Sequence, residues 1–121
     1  MKMTMFRAVL FAAALSVGAT AAEAHPRLTS LRPVASSSIA APREVRLTFN
    51  EPLIGRFSRI TLTDHSGHLV RTGAATFSRD GRQIAVALPQ RLTRGAYHVA
   101  WRVVSTDTHR VVGGYDFSVS S

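Results

Sequence analysis

The chain has 121 residues, no cysteine, and 15 Lys+Arg against seven Asp+Glu, for a formal net charge of +8. That length suits one compact domain, and the lack of cysteine excludes disulfides, thiolate zinc sites, thiol catalysis and a lipidated N-terminal cysteine. The three methionines, Met1, Met3 and Met5, all lie at the extreme N-terminus, which excludes thioether coordination of a soft metal by the rest of the chain.

In chain order, residues 1–24 read as a secretory signal peptide. Lys2 and Arg7 form a positive start, residues 8–19 form an apolar stretch too short to span a bilayer, and Ala22-Glu23-Ala24 supplies a small-x-small cleavage pattern. Cleavage after Ala24 leaves His25 as the first residue of a domain running over 25–121, whereas cleavage after Ala21 or Ala22 leaves extra residues ahead of it. A histidine at a free N-terminus presents its α-amine and imidazole side by side, a bidentate nitrogen chelate for a divalent metal such as copper. The domain keeps 13 arginines, no lysine and six acidic residues, a formal charge of +7. Arginine suits bidentate contact with carboxylate or phosphate. These arginines are scattered singly with little aromatic interleaving, which argues against a nucleic-acid site.

Short β-branched segments punctuated by turn residues follow. Residues 28–32 predict a first strand, stopped by Pro33, and Ala35-Ser36-Ser37-Ser38 is a loop signal. Residues 44–49 alternate polar and apolar as a half-buried strand does. Residues 57–63 alternate similarly, with Phe57, Ile60 and Leu62 expected inward. Asp64-His65-Ser66-Gly67 predicts a hairpin turn leading into 68–71. Residues 75–77 add a short strand before Ser78-Arg79-Asp80-Gly81, and residues 83–88 place Ile84, Val86 and Leu88 on one face. The longest strand expected, 96–104, aligns Tyr97, Val99, Trp101 and Val103, with Trp101 at the centre of the core. Residues 114–119 close the chain with Tyr115, Phe117 and Val119 together. Nothing beyond the leader has helical periodicity. The fold class is therefore all-β, an Ig-like Greek-key β-sandwich of about seven antiparallel strands.

Thr106-Asp107-Thr108-His109 is the second chemical feature. On an extended segment Asp107 and His109 project from one face, with Cα atoms about 6.6 Å apart, close enough to reach one metal. His25 then supplies two nitrogens, His109 a third and Asp107 an oxygen, a tetragonal set suited to Cu(II). Glu51, in Phe49-Asn50-Glu51-Pro52-Leu53, is placed to steer the N-terminal group by a hydrogen bond. His65 and His68 flank a turn and His98 faces away from Tyr97 and Val99, so all three are expected to be solvated.

Over nearly all of 25–121 the sequence resembles the CopC-type periplasmic copper-binding proteins. The matching residues are His25-Pro26-Arg27-Leu28, Ser30-Leu31-Arg32-Pro33, 45–52, 95–101 and 104–117, the last containing Asp107-x-His109 followed by Gly113 and Phe117. The resemblance implies a β-sandwich binding one Cu(II) through an N-terminal histidine brace. His25 would give the amine and one imidazole, His109 the second imidazole and Asp107 the carboxylate, with Glu51 close by. It also implies a role in copper resistance or uptake beside a CopD-like membrane partner, here expected as a separate, non-fused protein. Some members carry a methionine-rich Cu(I) loop, which this sequence lacks, so only Cu(II) is expected.

This reading predicts a periplasmic monomer that carries copper without catalysis and binds no nucleic acid. Two other classes compete. A histidine-brace oxidase or monooxygenase needs an open coordination position and a substrate face; Asp107 as a ligand would help fill the site, and 97 residues leave little room for such a face. A β-sandwich used as an interaction or adhesion scaffold would bind anionic surfaces through its arginines.

Overall fold

The computed structural model describes residues 26–121. The leader 1–24, its cleavage bond and His25 lie outside the described residues. Eight strands, β1 Leu28–Arg32, β2 Ser38–Ile39, β3 Glu44–Phe49, β4 Arg59–Asp64, β5 Thr76–Phe77, β6 Gln83–Ala87, β7 Gly95–Val104 and β8 Arg110–Val119, form two four-stranded sheets ordered β1-β3-β6-β5 and β2-β8-β7-β4. The chain crosses from one sheet to the other five times and stays within a sheet only at β5–β6 and β7–β8, the pattern of a Greek-key sandwich. The only helical element among the described residues is the 3₁₀ turn Gly55–Phe57.

The core follows from period-two alternation. In β3, Val45, Leu47 and Phe49 are buried, facing Ile84 and Val86 of β6 within the sheet and Leu62, Val99, Val103, Phe117 and Val119 from the other sheet. Each such side chain contributes about 1.5–3 kcal/mol by leaving water. Tyr97 stacks on Phe117 at a centroid distance of 5.7 Å, and its hydroxyl donates to the Thr93 carbonyl at 2.7 Å.

Five expectations are corrected. Phe57 is not an inward strand residue; it ends the 3₁₀ turn and is 53% exposed. Residues 68–71 return along β4 for a single antiparallel rung rather than a strand: Leu69 bridges to Thr63, flanked by bonds from the Asp64 N–H to the His68 carbonyl (3.0 Å) and from the Val70 N–H to the Leu62 carbonyl (2.8 Å). Ser38, the last residue of the stretch read as loop, forms β2 with Ile39, and the two pair parallel with Ser118 and Val119. Trp101 is half-buried at the flank of the core; the fully buried aromatics are Phe49 and Phe117. It packs edge-on to Phe49 at 6.5 Å and lies over Gly113, its partner in the β7–β8 register. A Cβ on Gly113 would come within 2.4 Å of the indole. Glycine is thus required there by close approach, and β8 begins at Arg110, four residues earlier than predicted.

Candidate metal centre

One end of the sandwich is stitched together by backbone contacts between segments far apart in sequence. The Arg27 N–H donates to Asn50 Oδ1 (2.6 Å), and the Asn50 N–H donates back to the Arg27 carbonyl (2.9 Å). Two residues on, the Pro52 carbonyl accepts the Thr106 N–H (3.0 Å), Leu53 bridges to Ser105, and the Ile54 N–H donates to the Val104 carbonyl (2.8 Å). Pro26 is buried at the start of this array. The residue following the predicted N-terminal histidine, the segment carrying Glu51, and the turn carrying Asp107 and His109 therefore meet at one end.

That turn is a closed loop rather than an extended strand. Val104 pairs with Arg110 as the last rung of the β7–β8 ladder. Beyond it, the Ser105 N–H donates to the His109 carbonyl (2.9 Å) and the Thr108 N–H to the Ser105 carbonyl (2.8 Å). Thr108 adopts φ +74°, a left-handed conformation rare for a β-branched residue and costing on the order of 1–3 kcal/mol. The expected same-face arrangement on an extended segment is thus replaced by a chain reversal. The outcome for the side chains is closer than the expectation required: His109 Nδ1 lies 3.1 Å from Asp107 Oδ2.

The other Asp107 oxygen, Oδ1, accepts the Ser105 hydroxyl in a short hydrogen bond. Ser105 is fully buried. Its hydroxyl is the largest cause holding the Asp107 carboxyl below the usual carboxylate value; desolvation works against this, and the His109 ring and backbone N–H add to it. Asp107 is therefore an anion throughout the neutral range. The sequence reading missed Ser105, although a serine two residues before an aspartate in a turn is a local signal for such a bond.

Of the predicted residues, Asp107 and His109 are brought together, each with a side chain about two-fifths exposed. Glu51 is half-buried in the adjoining segment and forms no ion pair among the described residues. No group of three or more potential ligands is assembled among the described residues, so Asp107 and His109 stand as a pair. His98 faces outward as expected, with Nδ1 2.7 Å from Asp116 Oδ1. His68 is 82% exposed beside Asp64.

A family model described as the CopC domain matches residues 28–120. "Copper resistance protein C" of Pseudomonas syringae pv. tomato is 38% identical over 117 residues, covering 91% of each chain. Two solved structures superimpose with TM-scores of 0.73. One is PcoC, "a Methionine Rich Copper Resistance Protein from Escherichia coli", at 37% identity over 80% of this chain and 100% of that one. The other is CopC from Methylosinus trichosporium OB3b, at 34% identity over 78% and 93%.

Proposed function

The chain belongs to the CopC family, and from that premise we propose that it is an exported copper carrier of copper homeostasis or resistance, without catalytic activity. Residues 1–24 are removed as a leader, and the domain 25–121 works as a monomer in the periplasm. It holds one Cu(II) by the amine and imidazole of His25, the imidazole of His109 and the carboxylate of Asp107, and hands it to a CopD-like membrane protein. Glu51 orients the amine by a hydrogen bond.

The observation that carries this reading is the Asp107–His109 separation of 3.1 Å. Two donors at right angles in a tetragonal shell, each about 2.0–2.1 Å from the metal, are about 2.9 Å apart. A carboxylate oxygen and an imidazole nitrogen thus already stand at the spacing of neighbouring ligands. The burial of Pro26 and the reciprocal Arg27–Asn50 bonds support the N-terminal half of the set, because they anchor the peptide that follows His25 at the same end. The nitrogen-rich, oxygen-containing donor set favours Cu(II), and the lack of methionine beyond Met5 sets the chain apart from its methionine-rich relative PcoC.

The test is intact mass and N-terminal sequencing of the secreted protein, with and without one equivalent of Cu(II). A chain starting at His25 that gains one copper is expected. A chain starting elsewhere, or starting at His25 without copper uptake, removes the brace. An alanine inserted ahead of His25 turns its amine into an amide and is expected to abolish tight binding while leaving the melting temperature unchanged.

A further inference from the structure

Beside the metal turn, on the outer face of the β4–β7–β8 sheet, lies a cleft of about 470 Å³. Four arginines line it: Arg56 in the 3₁₀ turn, Arg59 on β4, Arg102 on β7 and Arg110 on β8. Their outward direction follows from the pleat, since the next residues, Ile60 and Val103, are buried in the core and Val111 packs against it. The β4–β7 register sets Arg59 directly opposite Arg102. Like charges directly opposite on one sheet face are destabilising. No aspartate or glutamate lines the cleft, and among the described residues none of the four guanidiniums is in an ion pair, whereas Arg46 on the other sheet is paired with Glu44 at 3.0 Å. The fold thus retains a concentrated, uncompensated positive charge at one place.

Two further features say what would neutralise it. Phe57 is 53% exposed at the cleft, with the Arg56 guanidinium 4.8 Å from its ring centroid, and Val112, opposite Arg102 in the β7–β8 register, is 69% exposed. An exposed aromatic flanked by arginines is the composition of a protein–protein interface core. Arg59, Arg102 and Arg110 are also distributed over three adjacent strands, a span of about 10 Å, with Arg56 in the turn beside them. That span is wider than a single small anion and has room for two carboxylates at alternate positions of an extended segment, about 6.6 Å apart. Arg102 is half-buried between its neighbours, where a protruding side chain reaches it and a flat membrane surface does not.

We propose that this four-arginine cleft docks an extended, carboxylate-rich segment of a partner protein, which forks onto the guanidiniums and packs an apolar residue on Phe57. Thr108, between Asp107 and His109, forms part of the cleft wall. A docked segment therefore lies against the turn that carries both donors. The docking itself does not depend on the copper reading; where that reading holds, the docked partner is placed at the point of transfer.

The test is fluorescence anisotropy of a fluorescein-labelled hexaglutamate peptide against the metal-free protein, so that a failure to bind copper leaves it intact. One-to-one binding that weakens with salt is expected. Arg59→Ser/Arg102→Ser should weaken it at least tenfold, while Arg79→Ser/Arg91→Ser, which removes the same charge elsewhere, should change it less than twofold. Arg110→Ser serves as a second cleft variant, and a thermal melt checks that each variant is folded. Equal losses in the cleft and control variants would reduce the effect to net charge and overturn the proposal. So would no peptide binding, displacement of the peptide by low-millimolar inorganic phosphate, or binding only to phosphatidylglycerol vesicles.

Discussion

In the turn that leaves β4, Asp64 Oδ1 accepts the backbone N–H groups of Ser66 (2.9 Å) and His68 (3.0 Å), and Gly67 takes the left-handed conformation at φ +79°. In the turn from β7 to β8, Asp107 gives Oδ1 to a buried serine hydroxyl and turns Oδ2 toward His109, while a threonine takes the left-handed position. Both turns hold an aspartate followed closely by histidine, one and four positions later in the first (His65 and His68) and two positions later in the second (His109). In both, hydrogen bonding holds the aspartate carboxyl below its usual value. The first spends its carboxylate on its own backbone and leaves His68 in solvent, 3.9 Å from Asp64 Oδ2. The second keeps a carboxylate oxygen and an imidazole nitrogen facing each other and accepts backbone strain at Thr108 to do so. Residue content does not separate these two turns; the partner of the carboxylate does.

The comparison breaks if the two histidines behave alike. His109→Ala is expected to weaken Cu(II) binding by more than about 100-fold, since removal of groups that merely support a ligand already costs 10–100-fold. His68→Ala should leave the affinity within twofold. Competition against a chelator of known copper affinity measures both. Equal effects, or none at His109, would remove the β7–β8 turn from the site.

A smaller effect sharpens the role of the buried serine. Ser105→Ala removes the hydroxyl that holds Asp107 Oδ1, so the carboxylate is less fixed and its pKa moves back up toward the ordinary value. Copper affinity should fall about tenfold, the scale of losing one supporting hydrogen bond to a ligand. The pKa rise, followed by carboxyl-carbon NMR on metal-free protein, distinguishes a positioning role from a general loss of packing.

Part of the fold and of the candidate site is legible in the sequence, and the remainder is not, for identifiable reasons. Strands β3 and β6 follow from alternation because each has one face in the core, whereas β1, with only Leu28 and Leu31 partly buried, is marked by its stop at Pro33; β1 and β3 have the predicted ends. Phe57 is apolar but out of phase with Ile60 and Leu62: their period-two alternation puts Ser58 inward, where it is buried, and Phe57 outward, at the end of the 3₁₀ turn before β4. β2 is invisible to periodicity: two residues pair with β8 from a serine-rich stretch, and only the tertiary edge makes them a strand. At the candidate site, the Asp107-x-His109 spacing was readable but its geometry was not. The extended arrangement it suggests is overridden by the hairpin closure between Val104 and Arg110, and the Pro52–Thr106 and Arg27–Asn50 contacts are long-range pairings that no local pattern announces.

The smallest effect concerns what the two carboxylates do for stability. Asp64 has its pKa lowered, first by the His68 backbone N–H and, against desolvation, by that of Ser66. A depressed folded-state pKa contributes stability that is fully present above the unfolded value of 3.8 and is lost as pH falls through the folded value. Asp64→Asn keeps the acceptor but removes the charge. Its melting temperature should therefore lie a little below that of the parent at pH 7, and the gap should close as pH drops below the ordinary carboxylate range. Asp107→Asn obeys the same sign, because its carboxyl is also depressed. Only Asp107→Asn should weaken copper binding at pH 7, whereas Asp64→Asn should leave it unchanged. Melting curves across pH beside copper titrations would show two aspartates alike in acid–base character and different in use. A copper defect in Asp64→Asn would mean that the β4 turn also reaches the site.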